Sequence, residues 1–372
     1  MRLTCVVVAV MLVGGSAGGL RSAAPTSAPA GTLALLDRYE RGEHEAVFAE
    51  LVRAGDATAV LKDLQSSGSA WIQARGSAEV RRRQLVAASF ALEAAVPHLW
   101  PEDVDPLVEW GCQLMRKRGS AADAPEHLWQ LASVAIFGRA RDDGRLVTRA
   151  GPGAPLGSHV PPPRRAIDHI AHAEQRIPEE PRFRLAEAML AATLADTEPP
   201  RDVPWISTAQ LPRNSDGAMR RARAAQAIQL FEPLIEVPAL RAEAEVRLGY
   251  LKLVLHEFEA SLDHFAQARG TDDVFVAYLA RFLSGRALDA LNRRDDANAM
   301  YRSALEVVPH AQSASEALAA NLFLAGAAGD AYAAAQDALS GDPRRGDPWH
   351  EFGYGDRRFI PARMSALREA LK

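Results

Sequence analysis

Residues 248–268 read LGYLKLVLHEFEASLDHFAQA, and residues 284–309 read SGRALDALNRRDDANAMYRSALEVVP. Laid over one another, the two stretches fall into register. Ser261 matches Ala297, and the same small-residue column extends back to Ala227 and on to Ala331, in steps of 34, 36 and 34 residues. Four residues on, the column is Phe231, Phe265, Tyr301 and Ala335; three further on it is Leu234, Ala268, Ala304 and Ala338. Upstream, Leu248-Gly249 matches Ser284-Gly285 and Leu318-Ala319, and Leu288 matches Leu322. Pro309 and Pro343 mark two unit ends. Small residues let adjacent helices approach closely, and the aromatic fills the gap between units, which is how stacked units bury a continuous core.

The rest of the chain agrees with a helical reading. Of 372 residues, 48% are hydrophobic, 24% charged and 6% aromatic, and alanine occupies 71 positions. That balance excludes wholesale disorder, and so much alanine with so few aromatics argues against an all-β sandwich. With 43 basic and 47 acidic residues there is no case for a general nucleic-acid binder. Leu35, Leu36, Tyr39, Val47, Phe48 and Leu51 are spaced for two short helices meeting at Gly42. Further helical stretches are expected at about 56–65, 77–97, 102–117, 124–140 and 164–176, the third opening on Pro101-Glu102-Asp103, a helix-start signal. The Gly- and Pro-dense stretch 141–165 reads as a long surface loop, and Asp196 to Gly217 as a second irregular stretch.

The N-terminus has the layout of a secretory signal peptide over residues 1–24. Arg2 precedes an apolar run from Cys5 to Val13, and small residues follow, which places cleavage near residues 18–30. The apolar run is far shorter than the roughly 20 residues needed to span a bilayer. Cleavage leaves Cys112, in VEWGCQLM, as the one cysteine; its neighbours Trp110 and Met115 point to a buried helix face. Residues 25–31 read as a flexible linker and 32–140 as an N-terminal helical region.

Chemistry is sparse. No Gly-rich phosphate loop, nucleophile elbow or His-Glu-x-x-His pair occurs, and no Cys-x-x-Cys-His. Asp168, His169 and His172 are the best metal candidates, yet they need a further strong ligand from elsewhere, and hydrogen-bonded surface histidines account for them as well. Acidic pairs such as Asp272-Asp273 and Asp295-Asp296 fall at helix ends or turns, where the helix dipole explains them. No catalytic residue, metal or cofactor is assigned.

These columns resemble the tetratricopeptide repeat family, most clearly over about 217–343, where ALAANLFLAGAAGDAYAAAQDALSGDP at 317–343 is a third unit. A fourth unit pairs a first helix at about 182–195 with a second at 218–236, and LLDRYERGEHEAVFAEL at 35–51 is a degenerate candidate. His256 and Asn292 replace the frequent inter-helix glycine. The resemblance implies an all-α, right-handed helical-hairpin solenoid over 166–345, behind the N-terminal helical segment, with first helices lining a concave face that binds protein or peptide partners. On that implication the partner-contacting candidates are Arg247, Tyr250, Lys252, Arg281 and Asn321 on first helices.

The last segment, 346–372, gathers Trp349, Phe352, Tyr354 and Phe359. One reading is an aromatic cap closing the end of the solenoid; the other makes Trp349, with Arg357 and Arg358, a docking patch, so Trp349 joins the partner-contacting candidates. The functional expectation is an exported, non-catalytic scaffold in a bacterial periplasm or envelope, binding a protein or peptide, with no nucleic acid and no membrane span after signal cleavage. The rival is a helical periplasmic enzyme acting on glycans through two groove carboxylates.

Overall fold

The computed structural model describes residues 30–54, 78–95, 111–112, 114, 123–139, 162–196, 215–340, 347–352 and 358–372, and every regular element among them is helical. In chain order these are α1 (Ala30–Glu40), α2 (His44–Ala54), α3 (Ala78–Ala95), α4 (Ala124–Arg139), α5 (Pro162–Arg176), α6 (Pro181–Asp196) and α7 (Ser215–Phe231). They continue with α8 (Arg241–Val254), α9 (Phe258–Ala268), α10 (Val274–Ala290), α11 (Arg294–Val307), α12 (Gln312–Leu324), α13 (Ala328–Ser340), α14 (Pro348–Phe352) and α15 (Ile360–Ala370). The expected signal segment, the helix at 56–65, most of that at 102–117 and most of the two irregular stretches lie outside the described residues.

Four hairpins, α6/α7, α8/α9, α10/α11 and α12/α13, pack one against the next, which is the all-α stack that the columns demand. The columns are its buried positions. Ala227, Ser261, Ala297 and Ala331 are buried, as are Phe231, Phe265 and Tyr301. Two glycines set how closely paired helices approach. A Cβ on Gly249 would lie 2.5 Å from the Phe265 ring, and one on Gly285 2.4 Å from the Tyr301 ring. In α12/α13 alanine stands at both places, and Ala335 is exposed.

The turns repeat as well. Gly42, His256, Asn292 and Gly326 all have positive φ, of 94°, 63°, 58° and 81°. In each case the next residue's N–H reaches back to the first carbonyl of the motif: Glu43 to Arg38 (3.1 Å), and Glu257 to Lys252, Arg293 to Leu288 and Ala327 to Leu322 (2.9 Å each). This is the glycine-type helix stop, so α1/α2 ends its first helix just as the C-terminal hairpins do. His256 and Asn292 stand in the left-handed region where the other two turns use glycine.

Two boundaries differ from expectation. Helix α5 begins at Pro162, inside the stretch read as a loop to residue 165, because prolines in a first turn sacrifice no helical hydrogen bond. Helix α1 begins at Ala30, inside the stretch assigned to the linker. Helix α5 packs between α4 and α6, and Arg176 grips the buried Glu126 of α4 through two bonds of 2.6 and 2.9 Å.

The C-terminal segment takes a different course from an end plug. Helix α15 packs on α3 and α4, where Ile360, Met364, Leu367 and Leu371 join the core formed by Leu85, Phe90, Trp129 and Leu131. Arg82 of α3 donates to the Leu371 carbonyl at 3.0 Å, and Arg368 pairs with Glu93. On the last hairpin, Tyr332 and Leu339 remain 66% and 86% exposed. Trp349 and Phe352 pack instead against aromatic rings of the first helices, and Phe352 is buried there.

The glycine contacts give a direct test. Gly285→Ala pushes a methyl group into the Tyr301 ring and should destabilise the fold by about 1–3 kcal/mol. Gly329→Ala, in a helix with no atom within 4 Å of the new Cβ, should stabilise it by about 0.5–1 kcal/mol. Urea unfolding of both variants checks the pair, and equal effects would refute the packing argument.

Candidate functional site

The first helices α8, α10 and α12 form a strip, and the C-terminal segment lies across its N-terminal half. The seating begins at Asp347, which is buried. Its Oδ2 accepts from the Ser313 backbone N–H at 2.6 Å and its Oδ1 from the Trp349 N–H at 2.8 Å. Helix α12 has no side-chain cap of its own, because Ala311 occupies its N-cap; a carboxylate from the tail supplies the missing acceptor, and the helix dipole favours its charge. By contrast Asp273 caps α10 locally, accepting from Phe275 and Val276. Tyr278 donates its hydroxyl to Asp347 at 3.4 Å. Burial, and then the charge of Asp347, push the Tyr278 hydroxyl above its ordinary value, so it stays a donor.

Next come the aromatics. Trp349 stacks on Phe352 (5.5 Å between centroids), lies edge-on to Tyr250 (5.6 Å) and tilts against Phe282 (5.5 Å). Phe352 meets Tyr250 edge to face at 5.2 Å. The Arg247 guanidinium lies 4.4 Å above the Phe352 ring and donates to the Phe352 carbonyl at 3.2 Å. Beyond the helix, Arg358 donates to Glu243 at 2.7 Å and Asp273 at 3.3 Å, and sits 4.1 Å over the Phe275 ring. Glu243 also accepts from Arg247 at 3.0 Å. Burial by itself would raise the Glu243 carboxyl; the two guanidinium groups outweigh it and hold the carboxyl below its ordinary value.

The C-terminal half of the strip is open. A cleft of about 390 Å³ lies beside Trp349, lined by Phe282, Arg286, Asp289, Ala320 and Asn321 among others. Asp289 accepts from the Tyr301 hydroxyl at 2.5 Å and from the Asn321 amide at 2.6 Å, which ties the cleft floor to α11 and α12. Arg286 is exposed at the rim.

Of the six partner-contacting candidates, Arg247 and Tyr250 lie under the tail that carries Trp349, and Asn321 lines the cleft that Trp349 walls. Lys252 lies apart, paired with Glu257 at 2.7 Å beside the hairpin turn. Arg281 turns toward α11, bonding Ser303 at 3.1 Å and the Ala277 carbonyl at 2.8 Å. Asp347, Glu243, Tyr278 and Phe282 escaped the sequence reading; the missing signal was the absent cap residue before α12. Among the described residues no three His, Cys, Asp or Glu side chains converge on a metal-sized site, and Cys112 is buried.

Fold and strip together define a class: a protein of stacked helical hairpins whose first-helix strip is partly filled by its own C-terminal segment. No family model matches the sequence, and no curated protein does. Among solved structures the chain is similar to MamA, at 16% identity over 49% of this chain and 94% of that one, with a TM-score of 0.34. It is also similar to apo RapI (9% identity, 90% and 85% covered, TM-score 0.43). A third is a Rap protein complexed with competence and sporulation factor (12%, 90% and 80%, 0.40). At these identities and scores the likeness assigns no function or partner to this chain.

The Glu243 pairing predicts an acid dependence. A carboxyl held low in the folded state adds stability above its unfolded value of about 4.5, and that stability is lost as pH falls below it. Glu243→Gln should therefore cost about 3 kcal/mol at pH 7. It should also remove part of the stability loss that the wild type shows between pH 6 and pH 3; parallel pH profiles for the two proteins would contradict it.

Proposed function

We propose that this chain is an exported, non-catalytic helical-repeat scaffold that binds a protein or peptide partner on its first-helix strip, in a bacterial envelope. The observation that carries the reading is that the strip already holds a peptide-like segment, through aromatic, cationic and backbone-capping contacts of the kind that fix a helical ligand in a groove. The open cleft beyond Trp349 leaves room for a partner of greater length. The envelope assignment rests on the apolar run after Arg2, and no described helix is long and apolar enough to cross a membrane.

The cleft carboxylates favour binding over glycan hydrolysis. Asp289 is engaged by Tyr301 and Asn321, and Glu316 accepts from Gln312 at 2.7 Å. A glycosidase needs one carboxyl to hold a proton and the other to face the sugar; here both serve as acceptors inside the repeat.

Arg286→Glu with Ala320→Arg alters two exposed cleft positions and should leave the chain folded, with cooperative melting retained. In a crosslinking pull-down from envelope extract, the variant should recover at least about tenfold less partner than wild type. Identical recovery by the two proteins, or none by either, would sink the scaffold reading.

A further inference from the structure

The Asp347–Phe352 segment is held as a bound ligand is held. Its helix has five residues, far below the length that is stable by itself in water, so its helical form depends on the surface beneath it. Its anchors Trp349 and Phe352 are three residues apart and share one face. Asp347 stands two residues ahead of the first anchor and caps two helices at once, its own and α12. The groups that receive these anchors, Arg247, Tyr250, Tyr278, Phe282 and the Ser313 N–H, all come from first helices. The strip therefore recognises a definite pattern: an acidic residue, then tryptophan, then phenylalanine, on one helical turn.

The strip also continues past this segment, since Trp349 forms one wall of the open cleft toward Arg286 and Asn321. We propose that the strip is the receptor for a partner's helical segment of the pattern acidic-x-Trp-x-x-Phe, and that Asp347–Phe352 is its tethered competitor, which must leave before the partner seats. This rests on the scaffold reading and names the chemistry of its partner. A ligand tethered to its own site competes at an effective concentration of about a millimolar. Removing it raises the apparent affinity for a free segment by about tenfold or more, because the binding-competent fraction rises toward one.

The probe is a fluorescent synthetic peptide of sequence GDPWHEFG, matching residues 346–353, titrated by anisotropy against the full chain. Trp349→Ala/Phe352→Ala should bind it at least about tenfold more tightly than wild type does. In an Asp347→Ala/Trp349→Ala/Phe352→Ala background, where the chain supplies no acceptor of its own to the Ser313 N–H, the same peptide with alanine in place of its aspartate should bind at least about tenfold more weakly than the unaltered peptide. Phe352→Leu, a milder change, gives the same comparison with a smaller rise should the double variant lose cooperative melting. Equal binding by wild type and variants, or no binding by a variant that melts as wild type does, overturns the proposal. So does a wild-type dimer that the double substitution dissociates, which would make the occupant a second copy's tail. Failure of the scaffold reading is separate: the double variant binds the peptide, yet wild type and Arg286→Glu/Ala320→Arg recover the same proteins from extract.

Discussion

The two central hairpins, α8/α9 and α10/α11, close where a glycine of the first helix lies against an aromatic ring of the second. The contact is unforgiving, since a single added methyl would overlap the Phe265 or Tyr301 ring. It sets the distance between paired helices, and that distance sets the spacing of the first-helix strip. The device recurs outside the clear repeats, since a Cβ on Gly111 would overlap the Trp129 ring of α4. The last hairpin departs from it. With alanine at both places, α12/α13 has less to bury between its helices, and it relies on Asp347 to cap its first helix.

The tail is positioned by charge as much as by apolar contact. Arg247, Glu243 and Arg358 form a buried group in which one carboxylate serves two guanidinium ions. Such groups add little net stability, because desolvation offsets the attraction, but they penalise every misaligned arrangement. A tail shifted by one residue would leave one cation unpaired and Asp347 away from α12. Aromatic stacking supplies the adhesion, and the ions supply the register.

Much of the repeat was legible because it is copied. A column such as Phe231, Phe265 and Tyr301 can be read from one chain by laying it on itself, and the left-handed sites at His256 and Asn292 followed from their place where glycine is frequent. The pairing of α6 with α7 across a long insertion was legible for the same reason. The destination of the tail was not, because nothing in GDPWHEF says which surface offers Tyr250 and Phe282 at the right separation. That information lies in the stacking of three units, not in any one of them. Arg281 shows the converse limit: its position on a first helix was correct, and its direction was set by Ser303 on the neighbouring helix.

The placement of α15 also bears on how the chain is made. The hairpins join neighbours in sequence and can close as they are synthesised, from the first unit onward. The N-terminal core cannot, because Leu367 and Leu371 are part of it, and the bond from Arg82 to the Leu371 carbonyl spans 289 residues. Helices α3 and α4 are therefore translated well before the α15 residues that complete their core. Until residues 360–371 are made, α3 and α4 present an unfilled apolar surface, and loss of α15 would uncover that surface while leaving the four hairpins paired.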